Sequence, residues 1–175
     1  MLVFLLIGGI QIHHNDVNAL SNDVRPLSKE DFVFEGIAPG DFCNEALLKK
    51  LGNIKKIIKK YEGDIPIAEY LYSNFIIDVY LDVPSRSELR PLYIARVFII
   101  NNNECTSRGI KIGDNISEVL RAYGPFSKND DSSGHINYIY KYHSKEQTFD
   151  SYVIVFSVNS TDNSNRIESI VIDIW

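Results

Sequence analysis

The residues of this chain whose spacing comes closest to a reactive site lie in TSRGIKIGDNISEVLRAYG, residues 106–124, where Gly109, Gly113 and Asp114 precede an apolar stretch. Glycines at a helix entrance are what a phosphate loop uses, because the first helix amides and the helix dipole favour an anion. Such a loop also follows a buried strand and carries a lysine, or an acidic ribose ligand, at fixed distance. Neither companion is present here. The histidines offer no second route to chemistry. His13 and His14 sit near the start, His135 in a Ser/Gly loop and His143 at a strand end, without the acidic or cysteine cluster that a metal centre needs. Gly-x-Ser-x-Gly does not occur, and Asp130-Asp131 reads as a solvated turn, not a matched acid and base. The residues therefore predict no catalytic group, no cofactor and no metal.

The glycines make sense as scaffolding once the chain is searched for repeats. FEGIAPGDFCNEALLKKLG, residues 34–52, has the same frame: Gly36 answers Gly109, Gly40-Asp41 answers Gly113-Asp114, and Glu45 and Leu47 answer Glu118 and Leu120. The offset is 73 throughout, and IARVFI at 94–99 lies 73 residues before IESIVI at 167–172. In the second copy Ile116, Val119, Leu120 and Tyr123 form the one-sided stripe of an amphipathic helix. Asn115 and Glu118 make a capping box at its start, and Gly124-Pro125 ends it. In the first copy the stripe is Cys43, Ala46, Leu47 and Leu51, closed by Gly52, with Asp41 as the expected cap.

Three β-branched and aromatic runs follow each helix: 67–72, 75–82 and 92–100, then 136–143, 151–158 and 166–174. Connections this short demand antiparallel neighbours. Ile54, Ile57, Ile58 and Tyr61 suit a further helix over 54–61, with an extended connection as the alternative. The expected fold is α+β: two tandem repeats, residues 20–104 and 105–175, each with one or two short helices packed on one face of a three- to four-stranded antiparallel sheet.

Ahead of these units, Met1 to Ile10 is an apolar, uncharged run followed by the small residues Val17-Asn18-Ala19, so residues 1–19 read as a signal segment and the protein as exported. The run is too short for a transmembrane helix, which asks for about 20 residues. A net charge of −5 argues against nucleic acid as a partner. For Cys43 and Cys105 two readings stand: a bridge closing a loop of roughly 60 residues, worth about 4 kcal/mol in the loop-entropy model, or two separate thiols.

The frames GIAPGD…EALLKKLG and RGIKIGDNISEVLRAYG, each ahead of three strands, resemble the tandem repeats of the β-lactamase inhibitory protein and the single unit of the BamE (SmpA/OmlA) outer-membrane assembly lipoproteins. The resemblance covers roughly residues 30–175. It implies helices on one face of an antiparallel sheet, an open opposite face, and a role in gripping another protein. The inhibitor family's paired cysteines within each unit are absent, so neither its disulfides nor its target carries over. Tyr138, Tyr140 and Tyr142 project together from one strand, and Arg96, Phe98 and Trp175 mark the side of their strands opposite the Ile170–Ile172–Ile174 face. Tyr, Trp and Arg dominate interface hot spots. These six residues are the expected interaction set of a non-catalytic module that binds an unidentified protein, with a cell-wall carbohydrate or small-ligand module as the alternative.

Overall fold

Gly52-Asn53 ahead and the Gly63-Asp64 turn behind isolate a lysine-rich run that the computed structural model places as the first of eight strands. The structure describes residues 24–82, 90–130, 134–143, 151–161 and 164–175; the expected signal segment, 1–19, lies outside them. The strands are β1 (Lys56–Glu62), β2 (Ile65–Leu71), β3 (Phe75–Asp82), β4 (Arg90–Ile99), β5 (Ser127–Asp130), β6 (His135–Tyr142), β7 (Tyr152–Asn159) and β8 (Ile167–Ile174). Among the described residues, helix is confined to a 3₁₀ turn, Lys29–Phe32, and two short α-helices, α1 (Glu45–Lys50) and α2 (Ile116–Tyr123).

The expected α+β class is corrected by this arrangement. All eight strands join one antiparallel sheet in the order β1-β2-β3-β4-β8-β7-β6-β5, so the protein is mainly β. The joint is β4 against β8, where Val97 stands opposite Ile172 and Ile99 opposite Ile170. One hydrophobic core runs across it and takes in residues from both halves of the sequence. Edge pairing explains why separate sheets do not form: each four-strand meander ends on a long apolar strand, and joining the two satisfies the backbone groups that an exposed edge would leave open.

Of the two states left open for 54–61, helix or extended, the chain takes the extended one, as β1 from Lys56. Ile57 and Tyr61 match a helical period, yet they also fall on one side of a strand, and β-branched residues favour the pleat. Pairing with β2 is unbroken from Lys56 opposite Leu71 to Glu62 opposite Ile65. β5, read from sequence as part of a polar loop, pairs with β6 through four residues.

The turn ahead of each helix recurs in its hydrogen bonds. Gly40 N donates to Ile94 O (2.7 Å) and Gly113 N to Ile167 O (2.8 Å); 113 − 40 and 167 − 94 are both 73. Asp41 accepts from the amide of Ala38 (2.8 Å), and Asp114 from the amide of Lys111 (2.9 Å). Each carboxylate thus ties its own turn, while Gly40 and Gly113 hold φ at +87° and +91°, a region that favours glycine. The expected cap of α1 is corrected from Asp41 to Asn44, which accepts from Leu47 N (2.9 Å). Starting three residues later, α1 buries Leu48 and leaves Ala46 exposed. Asn115 caps α2 through Ser117 N (3.0 Å), which corrects the expected capping box: Glu118 is exposed and its side chain forms no return bond to the cap; Ile116, Val119 and Tyr123 face the core as expected. Gly52 and Gly124 close the helices through Lys49 O and Leu120 O, and Gly36 lies in the tight turn between Phe34 and Ile37.

The 3₁₀ turn is locked to the second half by Arg108. Its Nε and Nη2 donate to the two oxygens of Asp31 (2.7 Å each), and Nη1 to Ala122 O at the end of α2 (2.7 Å). Arg25 and the amide of Ser28 complete the wholly buried carboxylate. Phe32 then packs against Tyr142 and Tyr152 beneath β6 and β7.

Candidate protein-binding face

Alternation along the strands sends half the side chains to the face away from the helices. Their registers align them into rows that cross the sheet. Leu71 stands opposite Ile76, Ile76 opposite Phe98, Phe98 opposite Val171, Val171 opposite Val155, and Val155 opposite Ile139. Six apolar side chains therefore form one row over six adjacent strands, spanning about 24 Å at a strand spacing of about 4.8 Å. All six are half-buried, and none belongs to the core cluster on the helix face.

A polar row flanks it on one side, with Ser169 opposite Ser157 and Ser157 opposite Asn137. On the other side lie Glu69, Asp78, Arg96, Asp173, Val153 and Lys141, again in successive register. Lys60 donates to Glu69 (2.6 Å) and approaches Asp78 to 3.5 Å; Arg96 donates to Glu62 (2.7 Å) and lies 3.8 Å from Asp173. The Glu62–Arg96 pair reaches over β2 and β3, so it roofs Asp78, which has no exposed surface. Burial pushes the Asp78 carboxyl up, and the charges of Lys60 and Arg96 offset this only in part. Burial likewise raises Asp173, against the hydrogen bond from the Ile174 amide.

Of the six expected interaction residues, Arg96, Phe98 and Trp175 lie with this face. Trp175 is 51% exposed at its rim, with Lys141 Nζ 4.3 Å from the ring centroid. Tyr138, Tyr140 and Tyr142 are corrected: they point to the helix side. Tyr140 is buried between Tyr123 and Phe156, and its hydroxyl donates to Gly124 O (2.8 Å). Tyr138 meets Phe126 edge-on, and Tyr142 stacks with Phe32 and Tyr152. They are packing residues because α2 and the 3₁₀ turn lie over that side. Sequence reading passed over Leu71, Ile76, Val171, Val155 and Ile139; the signal was present as apolar residues on the second face of strands already apolar on the first.

The glycine turn ahead of α2 borders an open cleft lined by Gly109, Ile110, Asp114, Glu118, Arg121 and Ala122. Two carboxylates against one arginine do not make an anion site. Cys43 is buried and Cys105 exposed, and both are free thiols, which corrects the bridged alternative; burial pushes the Cys43 thiol up to about 11. Among the described residues no group of three or more His, Cys, Asp or Glu could hold a metal, and no helix is long and apolar enough to cross a membrane. Comparison with known protein families, with curated proteins and with solved structures finds no match to this chain.

Proposed function

We propose that this chain is an exported, non-catalytic protein-binding module, of an inhibitor or assembly type, that grips its partner with the sheet face opposite the helices. The observation that carries the reading is the continuous row Leu71–Ile76–Phe98–Val171–Val155–Ile139, apolar on a face where a solvated antiparallel sheet carries polar residues. Contiguous apolar surface rimmed by polar groups marks interaction sites, and here Ser/Asn and charged rows supply the rim. Phe98 and Arg96 at the middle of the sheet are the expected anchors. The likeness of the turn and helix frames to the β-lactamase inhibitory protein and BamE-type repeats agrees with this use of a sheet face. Export rests on the apolar run Met1–Ile10.

The test replaces Phe98→Glu and Val171→Glu, separately, in a chain whose folding is checked by circular dichroism. Wild-type protein immobilised before an envelope or culture-medium extract should retain a defined protein that both variants lose. Retention of nothing, or retention indifferent to both substitutions, sinks the proposal. Binding to cell-wall polysaccharide that Trp175→Ala abolishes would replace it with the carbohydrate reading.

A further inference from the structure

β1 is an edge strand: among the described strands it pairs with β2 alone. Edges of this kind are normally short, or guarded by charge, because their free amides and carbonyls invite another strand. β1 runs for seven residues, and the residues around its edge include Ile57 (50% exposed), Tyr61 (71%) and, across the hairpin, Ile65 (51%). Exposed apolar side chains make this edge attractive to another strand, and its guard is lysine, which repels basic strands but not acidic ones.

The free charge along β1 is mostly positive, because Glu62 at its far end is held by Arg96. Residues 49–60 hold Lys49, Lys50, Lys55, Lys56, Lys59 and Lys60 with no acidic residue among them, in a chain whose net charge is −5. Lys60 is engaged by Glu69 on the face away from the helices, whereas Lys55, Lys56 and Lys59 are exposed. A second copy of this chain is a poor occupant. Antiparallel self-pairing over the whole of β1 would set Lys59 opposite Lys59 and Lys56 opposite a Glu62 already held by Arg96, and pairing centred on Ile57-Ile58 would set Lys56 opposite Lys59 and Lys55 opposite Lys60; like charges directly opposed are destabilising. An acidic strand meets the reverse situation, with main-chain hydrogen bonds giving affinity and alternate side chains giving register.

We propose that the outer edge of β1 is a docking site, separate from the sheet face, that takes an extended acidic segment of a partner protein as an added strand. On the side of Ile57, Lys59 and Tyr61 the segment would set apolar residues against Ile57 and Tyr61 with a carboxylate between them against Lys59, and on the other side a carboxylate against Lys56. Random peptides displayed on phage and selected on the immobilised full chain should yield sequences free of proline and rich in Asp and Glu interspersed with Val, Ile or Tyr. A selected peptide, made with a fluorescent label, should slow amide exchange at Lys56–Glu62. Raising salt from about 0.05 to about 0.5 M should weaken it at least about tenfold, and the Lys56→Glu/Lys59→Glu double variant should do the same. Phe98→Glu should leave this binding unchanged, which separates it from the face proposed above. No enrichment, enrichment without acidic residues, tolerance of a central proline, or protection that falls outside β1 overturns the proposal.

Discussion

Asp78 lies wholly buried under Arg96, whose Nη1 stands 3.9 Å from Asp78 Oδ2, and neither carboxylate oxygen accepts a hydrogen bond. The guanidinium is turned instead to Glu62, leaving its own Nε without an acceptor. A buried charge without hydrogen bonds lowers stability.

Asp78→Asn should therefore raise stability at pH 7 by about 1 kcal/mol or more. Because the folded pKa is raised, the unfolded chain loses its proton first as pH climbs past about 4, and the native state weakens until the folded value is passed. The advantage of the variant should thus shrink as pH falls from 7 towards 4. Urea unfolding at several pH values checks this; a variant less stable than wild type at pH 7 refutes it.

Asp31 should behave oppositely. Burial would raise its carboxyl, but the hydrogen bonds from Arg108 and the Ser28 amide, with the charges of Arg108 and Arg25, hold it below the ordinary range. Its contribution is present above about 4 and lost as pH falls through the lowered folded value. Asp31→Ala leaves Arg108 buried and uncompensated, and should cost about 3–5 kcal/mol in equilibrium unfolding.

Tyr140 separates packing from binding. Tyr140→Phe keeps the ring but strands Gly124 O, for about 1–2 kcal/mol; Tyr140→Ala also opens a cavity among Tyr123, Phe126 and Phe156, for about 3–5 kcal/mol. Phe98→Ala on the opposite face should cost clearly less than Tyr140→Ala in the same denaturant series.

The two thiols should differ in reactivity. Cys105 is exposed and should react with a thiol reagent in the native protein, while Cys43, buried and raised to about 11, should react only on unfolding. One equivalent released natively and two in denaturant is the expected titration; two natively would contradict the burial of Cys43.

Gly40→Ala and Gly113→Ala should cost about 1–2 kcal/mol each, by backbone strain alone. A methyl at Gly40 would meet only Ile174 Cδ1 at 3.9 Å, and one at Gly113 nothing within 4 Å. Thermal unfolding that shows one far costlier than the other would break the equivalence of the two turns.

Much of the local architecture could be read from residue order because its causes are local. Gly-Asp turns followed by an apolar stripe specify a capped helix within a few residues, and strand alternation is a property of each segment alone. The offset of 73 placed Gly40 with Gly113 and Asp41 with Asp114, and their hydrogen bonds match. Where local signals conflicted, the reading stayed open: Ile57 and Tyr61 fit both a helix and a strand, and only pairing with β2 selects the strand.

What residue order alone determined, then, is the Gly-Asp turn ahead of each helix, Asn115 and Gly124 at the ends of α2, and the two faces of six of the eight strands. Only the tertiary structure decided which face the helices cover, and with it the division between packing and contact residues. Tyr140 and Phe98 both occupy alternating apolar strands; the difference between them comes from α2 lying over one side, a contact no local pattern encodes. The joining of β4 to β8 was decided at the same level, since that register pairs Val97 with Ile172 across 75 positions of chain and aligns Phe98 with Val171 in the apolar row. Pairing at such separation is set by which edges find one another once each meander has formed, not by the propensities of either strand.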